Sequence, residues 1–181
     1  MTRKRSPEID PGHDELELIE AMLNDKYVNH SLDKLIKGVQ IIRVQDPENY
    51  GEYPGIRLYS GGWLGSFIAE EVDEDGDFID SFGKTITIEI FAMENQEAKY
   101  NGKIYEGTRI LTLVRDILIR VFSEQLDYPF KGDEKVKEEF DDIQIDYIEL
   151  ENEMWITDHL GQPDSFALVL HLVVSYEKKR R

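Results

Sequence analysis

Several residue groups in this chain have the types and spacing that chemistry requires. The first is the acidic run of Glu71, Asp73, Asp75 and Asp77 around Gly76. Alternate carboxylates followed by glycine open the calcium loop of an EF-hand, which needs a bidentate glutamate at its twelfth position. Counted from Glu71, that position is Phe82, and both flanks read as strands rather than helices. The run therefore reads as a solvated turn with, at most, opportunistic cation binding. Four histidines, His13, His30, His159 and His171, show none of the short spacings of a metal site. His159 stands beside Asp158 and near Asp164, as acid–base chemistry would want, but a turn histidine among carboxylates is the simpler account. His171 reads as a packed residue on the secondary face of a strand. Gly61-Gly62-Trp63-Leu64-Gly65-Ser66 is glycine-rich, yet it lacks the lysine of a phosphate loop and no helix follows. With no cysteine, thiol catalysis, disulfides and cysteine-ligated zinc are excluded together. None of the 38 carboxylates is privileged by spacing, so an enzyme is not expected, and no catalytic, cofactor or metal residue is assigned.

Arg109, Arg115 and Arg120 are the one concentrated positive feature inside an acidic body. They read as the outer face of a helix, either solvated with local pairs such as Arg120 to Asp116 or Glu124, or set against a neighbouring subunit. In the second case the arginines meet the acidic loop of an identical copy, a head-to-tail contact that can close into a ring. The candidate interface residues are Arg109, Arg115, Arg120, Asp73, Asp75 and Asp77, with Trp63 and Phe67 as aromatic surface.

The elements that position these groups are legible from their periods. Ile86, Ile88, Ile90 and Ala92 alternate with Thr87, Glu89 and Phe91 over 85–93, the pattern of a half-buried strand. Over 108–126 the period changes: Ile110, Leu111, Val114, Ile117, Leu118, Val121 and Phe122 recur at helical spacing. Phe166, Leu168, Leu170, Leu172, Val174 and Tyr176 then alternate through a last strand. Around this centre, a helix capped by Asp14 runs to about Asn24, and a second short helix starts at Ser31. Strands are expected over 39–44, 56–59 and 63–72, with 73–77 as a hairpin tip returning through 78–82. Residues 95–107 form a loop or small hairpin around Asn101-Gly102. Residues 133–142 form a loop with a helical turn. Ile143–Leu150 and Met154–Thr157 read as two strands separated by Glu151-Asn152-Glu153, and 159–164 closes a hairpin. The expected class is α+β, a mostly antiparallel sheet of about five to seven strands with helices on one face.

With 181 residues, 40% of them hydrophobic, the chain suits one compact domain over 13–177, after a flexible arm over 1–12 and before a basic tip over 178–181. The arm has no apolar stretch of the signal-peptide kind, and no run is long enough to span a bilayer. The formal charge of −17 is unevenly placed. Between residues 6 and 177 there are 14 basic and 38 acidic residues, a net of −24. Such a body repels phosphates, so a groove-reading role on nucleic acid is not expected.

The order of elements carries a resemblance. A helix, then Tyr-Pro-Gly-Ile-Arg-Leu-Tyr at 53–59, a long strand over 84–93, the helix 108–126 and a hairpin ending in 166–176 together resemble the tail terminator proteins of long-tailed bacteriophages, a family related to tail-completion and neck proteins. The likeness covers about 14–177 and rests on element order. It implies a virion protein, assembled in the host cytoplasm, that forms a homo-oligomeric ring, a hexamer in that family. The ring caps the tail tube, stops its polymerisation and joins the head, so the implied partners are the tail tube protein and a head-completion or connector protein. DNA would pass the acidic lumen without specific binding. Another head–tail connector, such as a stopper ring, is the nearest alternative. An acidic DNA mimic that inhibits a nuclease or repressor, or a small hydrolase with an acidic metal site, comes from a different class.

Overall fold

The computed structural model describes residues 15–24, 40–43, 54–60, 67–72, 74–127 and 134–179. The expected arm over 1–12, the helix from Ser31, the glycine-rich run with Trp63, and Asp73 lie outside them. The described chain is an α+β fold. Helix α1 is Glu15–Asn24, followed by strands β1 (Gln40–Arg43), β2 (Gly55–Ser60), β3 (Phe67–Val72) and β4 (Phe78–Met93). A small hairpin, β5 (Glu97–Tyr100) and β6 (Lys103–Glu106), leads into helix α2 (Thr108–Asp127) and the short α3 (Glu134–Glu139). Strands β7 (Ile143–Thr157) and β8 (Ser165–Lys179) close the fold, joined through a 3-10 turn at His159–Gly161.

Six of these strands form the main sheet, in the order β1-β2-β4-β8-β7, with β3 pairing the outer half of β4. All pairings are antiparallel except β1 with β2. The long central pair runs from Ile79 opposite Lys179 to Met93 opposite Ser165. Alternation along it decides which side chains go where. Ile86, Ile88 and Ile90 stand opposite Leu172, Leu170 and Leu168, and all six are buried against the helices. Helix α2 packs on β4, β7 and β8, and α1 packs on α2, β2 and β4. Leu18, Ile19 and Met22 of α1 and Leu111, Val114 and Leu118 of α2 complete this core. Each such side chain, taken fully out of water, contributes about 1.5–3 kcal/mol.

Strand β7 differs from its expected form. Glu151-Asn152-Glu153 is not a turn between two strands; the strand continues through it, paired to β8 from Ile143 opposite Lys178 to Thr157 opposite Phe166. Register shifts between Ile145 and Tyr147 and between Leu150 and Asn152 take up the pattern break. Each inserted residue reverses the parity of the faces. Thus Ile143 and Ile145, then Ile148 and Leu150, then Glu153 and Trp155 share the helix-covered side. The C-terminal end also differs, because Lys178 and Lys179 belong to β8 instead of a separate tip. The expected small hairpin forms as β5 and β6, with Asn101 and Gly102 both at positive φ, as a tight two-residue turn requires.

Candidate functional site

The strands present a second face, away from the helices, and their register gathers polar residues there. Arg57 of β2 lies directly opposite Glu89 of β4, and Tyr59 lies opposite Thr87. Thr87 in turn lies opposite His171 of β8. Arg57 Nη1 stands 2.9 Å from Glu89 Oε2, and His159 Nε2 stands 2.7 Å from Glu89 Oε1. The three side chains are 9%, 8% and 2% exposed for Arg57, Glu89 and His159, so this carboxylate takes both its cationic and its imidazole partner out of water. An ionised carboxylate only accepts hydrogen bonds, which places a proton on Nε2. The ring of His159 also stacks on Phe91, with centroids 5.2 Å apart.

His159 is thus no solvated turn histidine paired with Asp158 or Asp164. It anchors the β7–β8 turn to the middle of the sheet. That turn holds Asp158, Leu160 and Asp164 at positive φ, a conformation that aspartate adopts more readily than a bulky residue such as leucine. Its backbone is tied by Ser165, whose hydroxyl lies 2.6 Å from the carbonyl oxygen of Gln162 and 3.1 Å from that of His159, so the two share its one proton. The Glu94 amide donates to the Asp164 carbonyl at 2.8 Å. Close by on the same face, burial raises the Tyr59 phenol above its ordinary value of 10.0, Glu89 raises it further, and Arg57 acts in the opposite direction. His171 meets the Thr87 hydroxyl across 3.3 Å. Chemically, the Arg57–Glu89–His159 cluster is suited to fixing a turn and a sheet face.

The candidate interface residues are distributed differently from the expected single patch. Arg109 and Arg120 lie eleven residues apart, about three turns at ~3.6 residues per turn, and share one margin of the exposed side of α2. Arg115 sits about 240° round from Arg109, on the opposite margin, facing β7. It is engaged within the chain, at 2.9 Å from Asp116 and 3.3 Å from Glu153 of β7. The hydrogen bond to Asp116 is the main cause that raises its guanidinium further above an already high value. Arg109 is exposed and lies over the Tyr105 ring, 5.8 Å from its centroid. Arg120 is exposed on the same margin.

Asp75 and Asp77 are exposed at the β3–β4 hairpin tip, and Asp77 pairs with Lys179 at the end of β8. Part of the acidic tip is therefore neutralised by the chain's own basic end. Phe67 opens β3, opposite Phe82. Among the described residues no group of three or more histidine, cysteine, aspartate or glutamate side chains converges as a metal site would need. Among them, too, no helix is long and apolar enough to cross a membrane.

Sequence reasoning missed Arg57, Glu89 and Ser165. The available signal was a charged residue flanked by isoleucine or leucine in each of two strands, Ile56-Arg57-Leu58 and Ile88-Glu89-Ile90. That alternation places both charges on the second face of the sheet, and it shows neither their burial nor the partners they find.

No family model and no curated protein sequence matches this chain.

Proposed function

We propose that this chain is a structural subunit that works by self-association, as a ring of the tail terminator kind at the neck of a long-tailed phage particle. The observation that carries the reading is strand β7. Its 15 residues form one margin of the main sheet, and Tyr147, Met154 and Trp155 along it are 47–49% exposed. A long sheet margin carrying half-exposed aromatic and thioether side chains is costly for an isolated monomer and natural for a subunit.

The element order of the terminator family, with a helix, a strand, a long central strand, a second helix and a final hairpin, supports the same reading. The net charge of −17 suits a wall past which DNA moves without adhesion. A DNA mimic requires carboxylates in one continuous phosphate-like row. Here the shift between Leu150 and Asn152 sets Glu149, opposite Val173, and Glu153, opposite Leu170, on different faces of the sheet.

Native mass measurement of the purified full chain, alone and with a tail tube protein, tests the proposal. A closed oligomer, with six copies as the expected number, supports it. A monomer at tens of micromolar that also ignores tube protein overturns it.

A further inference from the structure

Strand β7 is open on more than one side at once. It ends the main sheet, so its outer edge meets no other strand among the described residues. From Asn152 opposite His171 to Thr157 opposite Phe166 its pairing with β8 runs without a shift, which leaves a regular outer edge. Residues 151–155 are all exposed. Met154 and Trp155 lie on opposite faces of the sheet, across from Val169 and Leu168, and are 49% and 47% exposed. A body docking on one face covers only one of them. A strand added at the edge covers both, because its own side chains alternate between the faces. The edge offers such a strand its backbone donors and acceptors, and charge selects which strand arrives. β7 carries Asp146, Glu149, Glu151 and Glu153 and no basic residue, so a second β7 is repelled and a basic strand is attracted.

The chain has two runs of consecutive basic residues, Arg3–Arg5 and Lys178–Arg181. Lys178 and Lys179 are already held in β8, opposite Asp80 and Ile79. Thr2-Arg3-Lys4-Arg5-Ser6 contains no acidic residue, and Pro7 after it lacks the amide that a longer ladder needs. We infer that residues 2–6 of one copy add as a strand to the outer edge of β7 in the next. Arg3 and Arg5 then share one face and Lys4 takes the other. Their alkyl stems cover Trp155 and Met154, and their charges stand beside Glu151 and Glu153. The donor is a neighbour for a topological reason. Helix α1, where the arm is rooted, packs on β1, β2, β4 and α2, and α2 in turn packs on β7. Within one chain the arm would have to cross α2. Since β1 and β7 are opposite margins of the sheet, a copy whose β1 side abuts β7 brings its arm directly to the edge. The residues before Glu15 reach about 50 Å at ~3.6 Å per residue, ample for that step. The contact is heterologous, because each copy gives an arm and receives one, and such contacts close into rings when the rotation allows. The inference rests on the self-association proposed above and names its contact, with the arm in place of the arginine face of α2.

Disulfide trapping tests it on the full chain, which has no cysteine of its own. Lys4→Cys and Glu151→Cys are made as separate variants and mixed under mild oxidation. Peptide mass mapping should find residue 4 of one copy joined to residue 151 of another. That bond should form at least about tenfold faster than one to Lys103→Cys at the β5–β6 tip, because docking raises the local concentration. Deleting residues 2–6 should weaken self-association and leave the circular dichroism spectrum that of wild type. If wild type assembles but position 151 traps no faster than position 103, the arm contact is wrong while the ring reading stands. If a variant carrying both cysteines closes its disulfide within one chain, the arm covers its own β7 and the exchange is wrong. If wild type is monomeric, both readings fail.

Discussion

His159 Nε2 lies 2.7 Å from Glu89 Oε1, across 70 residues of sequence, and this bond fastens the β7–β8 turn to the central strand. Arg57 holds the other carboxylate oxygen at 2.9 Å, so Glu89 is the hub of the arrangement. Removing the hub and removing a spoke have different consequences. Glu89→Ala leaves the Arg57 guanidinium buried without its carboxylate, and breaking a buried pair in this way costs about 3–5 kcal/mol. His159→Ala leaves the Arg57–Glu89 pair intact and costs about 1–3 kcal/mol, the range for an unmade buried hydrogen bond. Urea unfolding of the two variants gives the order directly. In a double-mutant cycle the two losses should be strongly non-additive, because the residues touch. Equal and additive losses would show that Glu89 is not the hub.

The same cluster governs a pH effect. Burial and the Glu89 charge raise the Tyr59 phenol from its ordinary value of 10.0. A raised acid binds its proton longer in the folded state than in the unfolded chain, so stability falls with rising pH through the interval between the two values. The contribution is intact below pH 10 and is lost above it. Tyr59→Phe has no proton to lose there, and its unfolding midpoint should decline less steeply than wild type between pH 10 and the alkaline limit. Parallel profiles for the two proteins would remove Tyr59 as the cause.

Much of the scaffold could be read because each period answers to one local interaction. Ile86, Ile88 and Ile90 alternate because one face of β4 meets the helices, and the apolar stripe of α2 from Ile110 to Phe122 is its counterpart. The continuity of β7 was hidden for a physical reason. Two bulges switch the inward residues from odd to even and back to odd, and Glu151-Asn152-Glu153 at an edge strand has the composition of a turn. Solvent on the open margin lets a strand carry what a central strand could not. The Arg57–Glu89–His159 cluster was hidden because partner choice depends on register between distant strands, and alternation reveals only the face. The arginines illustrate a different gap. Their exposure follows from the helical period, but Arg115 takes Glu153 as a partner only because β7 runs alongside α2.

That difference in surroundings predicts a weak ion pair. Arg115 is 24% exposed, but its partners Asp116 and Glu153 are 62% and 37% exposed, and water screens much of the attraction. Arg115→Ala should cost less than about 1 kcal/mol at physiological salt, and the loss should shrink further in high salt. Thermal unfolding at two salt concentrations checks both statements. A loss as large as that of Glu89→Ala would mean that the α2–β7 seam depends on this arginine.

Gly107 links the β5–β6 hairpin to α2, and its backbone explains why a glycine is needed. It has φ of +49°, in the left-handed region, and a Cβ built there would stand 3.2 Å from the Glu94 carbonyl oxygen. Two penalties therefore act together in Gly107→Ala: the conformation itself, about 1–2 kcal/mol for a residue with a side chain, and a close approach to backbone that cannot swing aside. The substitution should lower the unfolding midpoint by that amount or more. Gly102 offers the internal control. Its φ is also positive at +76°, but nothing lies within 4 Å of a Cβ there, so Gly102→Ala carries the conformational penalty alone. Equal destabilisation at the two positions would assign the whole cost to backbone conformation and none to the contact with Glu94. A larger loss at Gly107 locates the hairpin's attachment to the helix at that carbonyl.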